Sequence, residues 1–252
     1  ITWRAANGQT YGEINDFDGS GTIHTRMFAH DDPELATYLS GVSGSAPITN
    51  VIGTNSDDTI EVNFGAPGGE IYAADGDDTI HVSGSGNVWW ASGGTGNDTI
   101  VGGSGNDKLV GDGGNDWLQG RGGNNRLDGR DAYDTAKWYL DTDISADVTV
   151  QFDNARSEYV FYSGTSEIGH AEFVSAGDDT ELVVSIDNLP GFGQVVDTLD
   201  EVERLHFSWD TTGSGNYSWT DFEVDYEAQT IRLEDSQSPG QHIFIELDDN
   251  DN

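Results

Sequence analysis

Aspartates recur in register along this chain. Asp58, Asp78 and Asp98 are spaced by 20 residues within NSDDTIEV, DGDDTIHV and TGNDTIVG, and Asp98, Asp116 and Asp134 by 18. Carboxylates that return at one place in successive turns stack into a row, and a row of like charges needs a cation between its members. Ca²⁺ fits that need, because it takes roughly six to eight oxygens at about 2.3–2.6 Å from carboxylates and backbone carbonyls. A second, sparser row runs through Asn87, Asp107 and Asn125, where a neutral amide replaces the acid at two of three steps. The first row offers an interval for each of up to four ions and the second adds fewer, so about four to six Ca²⁺ are expected. One edge should bind strongly and the other weakly.

Other chemistry finds less support. There is no HExxH for a zinc protease, GVSGSA around Ser43 lacks the last glycine of a nucleophile elbow, and the chain has no cysteine. His24 and His30 flank an apolar stretch at a spacing too loose for zinc. DFDGSGTIHTRM places Asp16, Asp18, Ser20, Gly21 and Ile23 where an EF-hand loop has its residues. Met27 then stands where the bidentate glutamate belongs, so an Asx-rich turn is the stronger reading and a second cation site the weaker one.

The elements that must position the aspartates are visible in residues 93–137. In blocks of nine these read GGTGNDTIV, GGSGNDKLV, GDGGNDWLQ, GRGGNNRLD and GRDAYDTAK. Six residues of glycine-rich turn feed three of strand, whose middle member, Ile100, Leu109, Leu118, Leu127 and then Ala136, is the one that points inward. Two such blocks make a coil with a short strand on each of two sheets, and stacked coils bury their apolar members as columns. Upstream, stretched coils carry Ile71 and, on the same alignment, Asn87 at the acidic place and Trp89 at the inward one. The solenoid is thus expected to span 51–137. Trp117 should face outward on the sheet that holds Thr99 and Thr135, and one of Trp89 and Trp90 outward on the opposite sheet, with contact to the terminal β regions as the expected use.

The blocks resemble the G-G-x-G-x-D-x-U-x nonapeptide of RTX proteins, the hemolysin-type calcium-binding family. That resemblance implies an all-β fold, a calcium-bound parallel β-roll, or β-solenoid, and β-rich capping regions are expected at both ends because a terminal coil would otherwise expose its core and strand edges. It implies Ca²⁺ ligands at Asp58, Asp78, Asp98, Asp107, Asp116, Asp134 and Asn125, with carbonyls around Gly93, Thr95, Gly102, Ser104, Gly111 and Gly113. It also implies type I secretion and a secreted, extracellular or bacterial cell-surface location. Asp32-Pro33 resembles the scissile dipeptide of self-processing modules in some RTX proteins, but the pair is too common to carry a function.

Residues 138–252 change character. VTVQFDN, EYVFYS, ELVVSIDN, RLHFSWD, FEVDYEAQTIRLED and HIFIELDD read as antiparallel strands, and DTLDEVERLHFSWD resembles a segment that follows RTX arrays. A C-terminal antiparallel β cap is expected there, in the region where a secretion signal would lie. Residues 1–50 are a β-rich segment of unassigned role. The start, ITWRAANGQT, has neither an initiating Met nor a signal peptide, so the chain is expected to be processed or cut from something longer.

Net charge narrows the partners. With 46 Asp and Glu against 10 Lys and Arg the chain carries −36, which disfavours nucleic acid and anionic lipid, and no apolar run is long enough for a transmembrane helix. Residues 51–137 hold 14 acids against 5 bases, −9, which four to six Ca²⁺ would about neutralise. Residues 138–252 hold 26 against 3, −23, which the repeats leave unexplained. A structural or adhesive surface protein is the first reading, with extracellular polysaccharide or another surface protein as partner. A non-catalytic tail of a secreted protease, lipase or polysaccharide-modifying enzyme, and a calcium-dependent glycan-binding module, are the alternatives.

Overall fold

The computed structural model describes residues 4–6, 9–17, 23–29, 50–63, 68–140, 148–177, 179–210 and 217–234, the first three ranges as backbone strands alone. In those, β1 (Arg4–Ala6), β2 (Gln9–Phe17) and β3 (Ile23–Ala29) form an antiparallel sheet. Strands, not helices, therefore flank the EF-hand-like segment; Asp16 lies in β2 opposite His24 of β3. Asp18, Ser20, His30, Asp32, Pro33 and Ser43 lie outside the described residues.

From residue 50 the chain winds as a solenoid, alternating between two sheets. Its strands in chain order are β4 (Asn50–Ile52), β5 (Thr59–Asn63), β6 (Gly68–Asp75), β7 (Thr79–Ser83), β8 (Asn87–Thr95), β9 (Thr99–Val101), β10 (Lys108–Gly113), β11 (Trp117–Gln119), β12 (Asn124–Asp131) and β13 (Thr135–Leu140). The even-numbered strands pair in parallel in one sheet and the odd-numbered ones in the other. Such short strands hold because their inward side chains stack. Val51, Ile71, Ala91, Leu109 and Leu127 form one column, and Ile60, Ile80, Ile100, Leu118 and Ala136 face it from the other sheet, all buried. At about 25 cal/mol per Å² of apolar surface removed from water, these columns are the main attraction between coils.

In one coil the expected alignment is corrected. The register shifts between Gly69 and Glu70, and the residue opposite both Ile71 and Leu109 is Ala91, not Trp89. Val88 is buried instead, and Asn87 falls on the outer side of its turn. One extra residue of β8 is absorbed at this irregularity, where the pairing offset passes from 19 to 20, and it moves every subsequent side chain of the strand relative to a simple count.

The expectation of an antiparallel region from residue 138 needs a second correction. After β13 the chain leaves the roll through β14 (Val148–Asp153), β15 (Glu158–Ser163), β16 (Ser166–Ala176) and β17 (Asp179–Leu189), an antiparallel meander. It then returns. β18 (Gly193–Asp200) pairs in parallel with β12, and β19 (Arg204–Asp210) in parallel with β13, so they continue both columns with Leu199 and Leu205. Only β20 (Tyr217–Asp225) and β21 (Thr230–Glu234) then extend the second sheet antiparallel. HIFIELDD lies outside the described residues.

Beyond the last coil the two sheets are held together by aromatic rings rather than aliphatic columns. Trp138 stacks on Phe207 at 5.2 Å between centroids, and Phe161 packs against Phe207 at 4.9 Å and Phe222 at 5.6 Å. These large side chains close the end of the roll, where a bare terminal coil would expose its core and its strand edges. The tryptophans on the outer faces divide as expected between sheets. Trp117 touches His206 of β19 edge-on at 5.2 Å, with Lys137 over its ring, whereas Trp90 carries Lys108 at 4.2 Å and makes its contacts within the roll.

Candidate metal centre

The turns that join β4 to β5, β6 to β7, β8 to β9, β10 to β11 and β12 to β13 lie on one edge of the roll, and each ends in an aspartate of the first row. Asp78, Asp98, Asp116 and Asp134 are buried to within 1%. One oxygen of each is accounted for. The backbone N–H of Asp58 donates to Asp78 Oδ1 at 2.7 Å, that of Asp78 to Asp98 at 2.7 Å, that of Asp98 to Asp116 at 2.7 Å, and that of Asp116 to Asp134 at 2.8 Å. The other oxygen, Oδ2, has no hydrogen-bond partner in any of the four.

A buried carboxylate oxygen without a donor is expensive, and four in one row are incompatible with an ordinary metal-free core. Burial pushes Asp78, Asp98 and Asp134 up to about 7 and Asp116 to about 6 from the ordinary 3.8; carboxylates nearby push the same way, and the accepted N–H pulls back. Either a proton or a cation must neutralise each. Among the described residues no three carboxylate or imidazole side chains converge, so an ion here would draw its remaining oxygens from the backbone.

The glycine that opens the turns of Asp98, Asp116 and Asp134 makes room for this. A methyl group added at Gly111 would lie 2.2 Å from Asp116 Oδ2 and 2.9 Å from the carbonyl oxygen of Gly129 in the next coil, so both oxygens face one small space. Gly93 stands in the same relation to Asp98 Oδ2, at 2.1 Å. Ala73 occupies this place in the turn of Asp78. A hard cation seated between a carboxylate of one coil and a carbonyl of the next is the arrangement calcium favours. Of the expected carbonyls, those of Thr95 and Gly113 each accept one N–H, from Gly76 and Gly96 at 2.8 Å, and keep a second lone pair.

Asp58 and the second edge differ. Asp58 Oδ2 accepts the backbone N–H and hydroxyl of Thr54, within its own turn. Asp107 has both oxygens engaged, Oδ1 by the N–H of Val88 and Oδ2 by that of Gly103. Asn125 accepts the Asp107 N–H at 3.0 Å and donates through Nδ2 to Asp197 Oδ1 at 2.7 Å. Asp107 is also raised by burial, to about 6, but the two backbone donors lower it. Donor-less oxygens thus mark the first edge from Asp78 to Asp134.

A set of polar residues outside the sequence reading runs alongside. Asp57, Asp77, Asn97 and Asn115, each just before a row aspartate, form an exposed ladder in which Asp77 N–H donates to Asp57 Oδ1 at 3.0 Å, Asn97 to Asp77 at 2.7 Å, and Asn115 to Asn97 at 2.9 Å. Its bonds run from the later coil to the earlier, opposite to the buried row. Asn87 and Asn106 do the same on the other edge, which is the role of Asn87. The repeated Asx-Asp pairs of SDD, GDD and GND were the available signal.

The raised acids fix the sign of a pH effect on the metal-free chain. Because the folded row holds its protons up to about 7 while unfolded aspartate releases them near 3.8, the folded state binds more protons between these values and loses stability as pH rises through them. In chelator, β content by circular dichroism should therefore be higher at pH 5 than at pH 8. A flat or rising profile would contradict the burial of donor-less carboxylates.

The RTX calcium-binding nonapeptide repeat, as a model of four copies, matches residues 92–127 and again 101–136. Neither the curated proteins nor the solved structures compared with this chain give a match. No described helix is long and apolar enough to cross a membrane.

Proposed function

We propose, on the premise that residues 92–136 are RTX calcium-binding repeats, that this chain is the calcium-folded module of an exported extracellular or cell-surface protein with a structural or adhesive role. The observation that carries this is the row of buried, donor-less oxygens on Asp78, Asp98, Asp116 and Asp134. Calcium bound between successive coils, by these carboxylates and the carbonyls of opening glycines such as Gly93, Gly111 and Gly129, supplies the missing charge. Asp107 and Asn125 form the weaker edge. Binding energy for the ions then becomes folding energy, so the chain stays loose where calcium is scarce and closes where it is millimolar, outside the cell. Exposed aromatic side chains at Tyr72, Trp117, Phe152, Phe192 and Trp219 give the folded surface contact points for polysaccharide or a second surface protein.

Calorimetric titration of the metal-free chain with Ca²⁺ and with Mg²⁺ tests the ion assignment. About four to six Ca²⁺ per chain are expected, with Mg²⁺ failing to compete, since it demands a tighter octahedral shell and gives up water reluctantly. Absence of calcium uptake, or equal uptake of magnesium, would sink the proposal.

A further inference from the structure

The buried row does not stop at the last nonapeptide. Asp134, whose N–H continues the series, donates to Glu203 Oε2 at 2.7 Å, the bond that Asp116 makes to Asp134 one coil earlier. The N–H groups of Glu203 and Arg204 donate back to the Asp134 carbonyl at 3.1 and 2.9 Å, as the Thr135 N–H donates to the Asp116 carbonyl. Glu203 therefore occupies the place of a row aspartate before β19, although the stretch between Asp200 and Arg204 has no glycine and is three residues shorter than that between their partners Asp128 and Thr135.

The carbonyl half of the arrangement is reproduced as well. A methyl added at Gly129 would lie 2.0 Å from the carbonyl oxygen of Glu201 and 2.5 Å from Asp134 Oδ2. This is the geometry at Gly111, with the Glu201 carbonyl standing where the Gly129 carbonyl stands. Glu201 has a left-handed backbone, φ +50°, at the start of this short turn. Asp134 itself is fully buried, and its Oδ2 has no donor. Glu201 and Glu203 also line a mostly acidic groove of about 650 Å³ with Asp128, Asp131, Asp200 and one cation, Arg130, which gives a calcium ion a route in from solvent.

We infer that a further calcium ion binds between the last nonapeptide turn and the Glu201–Glu203 turn, held by the carboxylates of Asp134 and Glu203 and the carbonyl of Glu201. The inference rests on the reading of the aspartate row as calcium ligands. It makes the coil that returns after the 141–192 excursion a part of the metal-binding array, and the ion a bond between the repeats and the region after them.

Native mass spectrometry of the full chain in calcium, with E203Q and D116N beside the unaltered protein, tests it. E203Q keeps an acceptor for the Asp134 N–H and removes the charge, so it should carry one ion fewer and leave the others within a few-fold of their affinity. If E203Q keeps the full ion count while D116N loses ions, this inference falls and the reading of the row stands. If D116N also keeps the full count, or the unaltered chain binds no calcium, the reading of the row falls and takes this site with it. Should E203Q not reach the normal β content, hydrogen exchange on the unaltered chain decides. Protection of 198–206 that rises with calcium alongside 111–118 supports the site, and protection indifferent to calcium overturns it.

Discussion

Chelation at neutral pH is expected to abolish most of the strand signal that arises from residues 50–140. Each of Asp78, Asp98, Asp116 and Asp134 buries an oxygen that no donor meets, and near pH 7.5 most of these groups must be charged if they are to leave their protons to solvent. The columns of Ile, Leu, Val and Ala attract successive coils, but an uncompensated buried charge costs several kcal/mol, and the row holds four. A ligand present at 100 times its Kd contributes about 2.7 kcal/mol per site, so a handful of ions is comparable to the whole stability of an ordinary domain. Far-UV circular dichroism in millimolar calcium and in chelator reads this directly. Equal β content in the two would show that the carboxylates are tolerated without metal.

Replacing Asp116 with asparagine should act in opposite directions in those two media. The amide keeps an oxygen for the Asp98 N–H but removes the charge next to the space shared with the Gly129 carbonyl. With calcium present the variant should lose about 3 kcal/mol or more, because removing one partner of a buried charged pair strands the other. In chelator the same change removes a buried charge that had no partner, so the metal-free chain should become more stable than the parent. A denaturant titration in calcium measures the first, and β content by circular dichroism in chelator the second. A D116N variant that is weaker in both media would mean that Asp116 serves the fold through packing and hydrogen bonds alone.

The aspartate rows were legible because the solenoid repeats in sequence what it repeats in space. A residue returning every 18 or 20 positions returns to the same place in a coil, so Asp58, Asp78, Asp98, Asp116 and Asp134 could be aligned without coordinates. The inward columns followed for the same reason. The coil containing Asn87 was misaligned because a register shift at Gly69 and Glu70 moved Ala91 into the column, and counting residues cannot locate a bulge. The returning coil was missed because an excursion of about fifty residues breaks the period and because its turn sets a left-handed glutamate where the repeats have glycine. The signal that survives is the Leu-Asp pair: Leu127-Asp128 and Leu199-Asp200 hold matching places, and an acid and then an apolar residue follow each. Which row oxygens lack a donor was never in the sequence, since Thr54 and Gly103 provide donors only through the shape of their own turns.

The buried ladder also has a polarity. Each aspartate is answered by a coil that precedes it and awaits one that follows. Thr54 closes the first member within its own turn, so the amino-terminal end can be primed locally, as a template is. The carboxyl-terminal end has a last seat, and Glu203 fills it across 69 residues rather than the usual 18. Closing that longer loop costs about 1 kcal/mol more chain entropy than adding an ordinary coil, unless the hairpins of β14–β17 form first and shorten it. Loop length alone thus predicts local steps of low contact order first and the single long-range closure last and slowest.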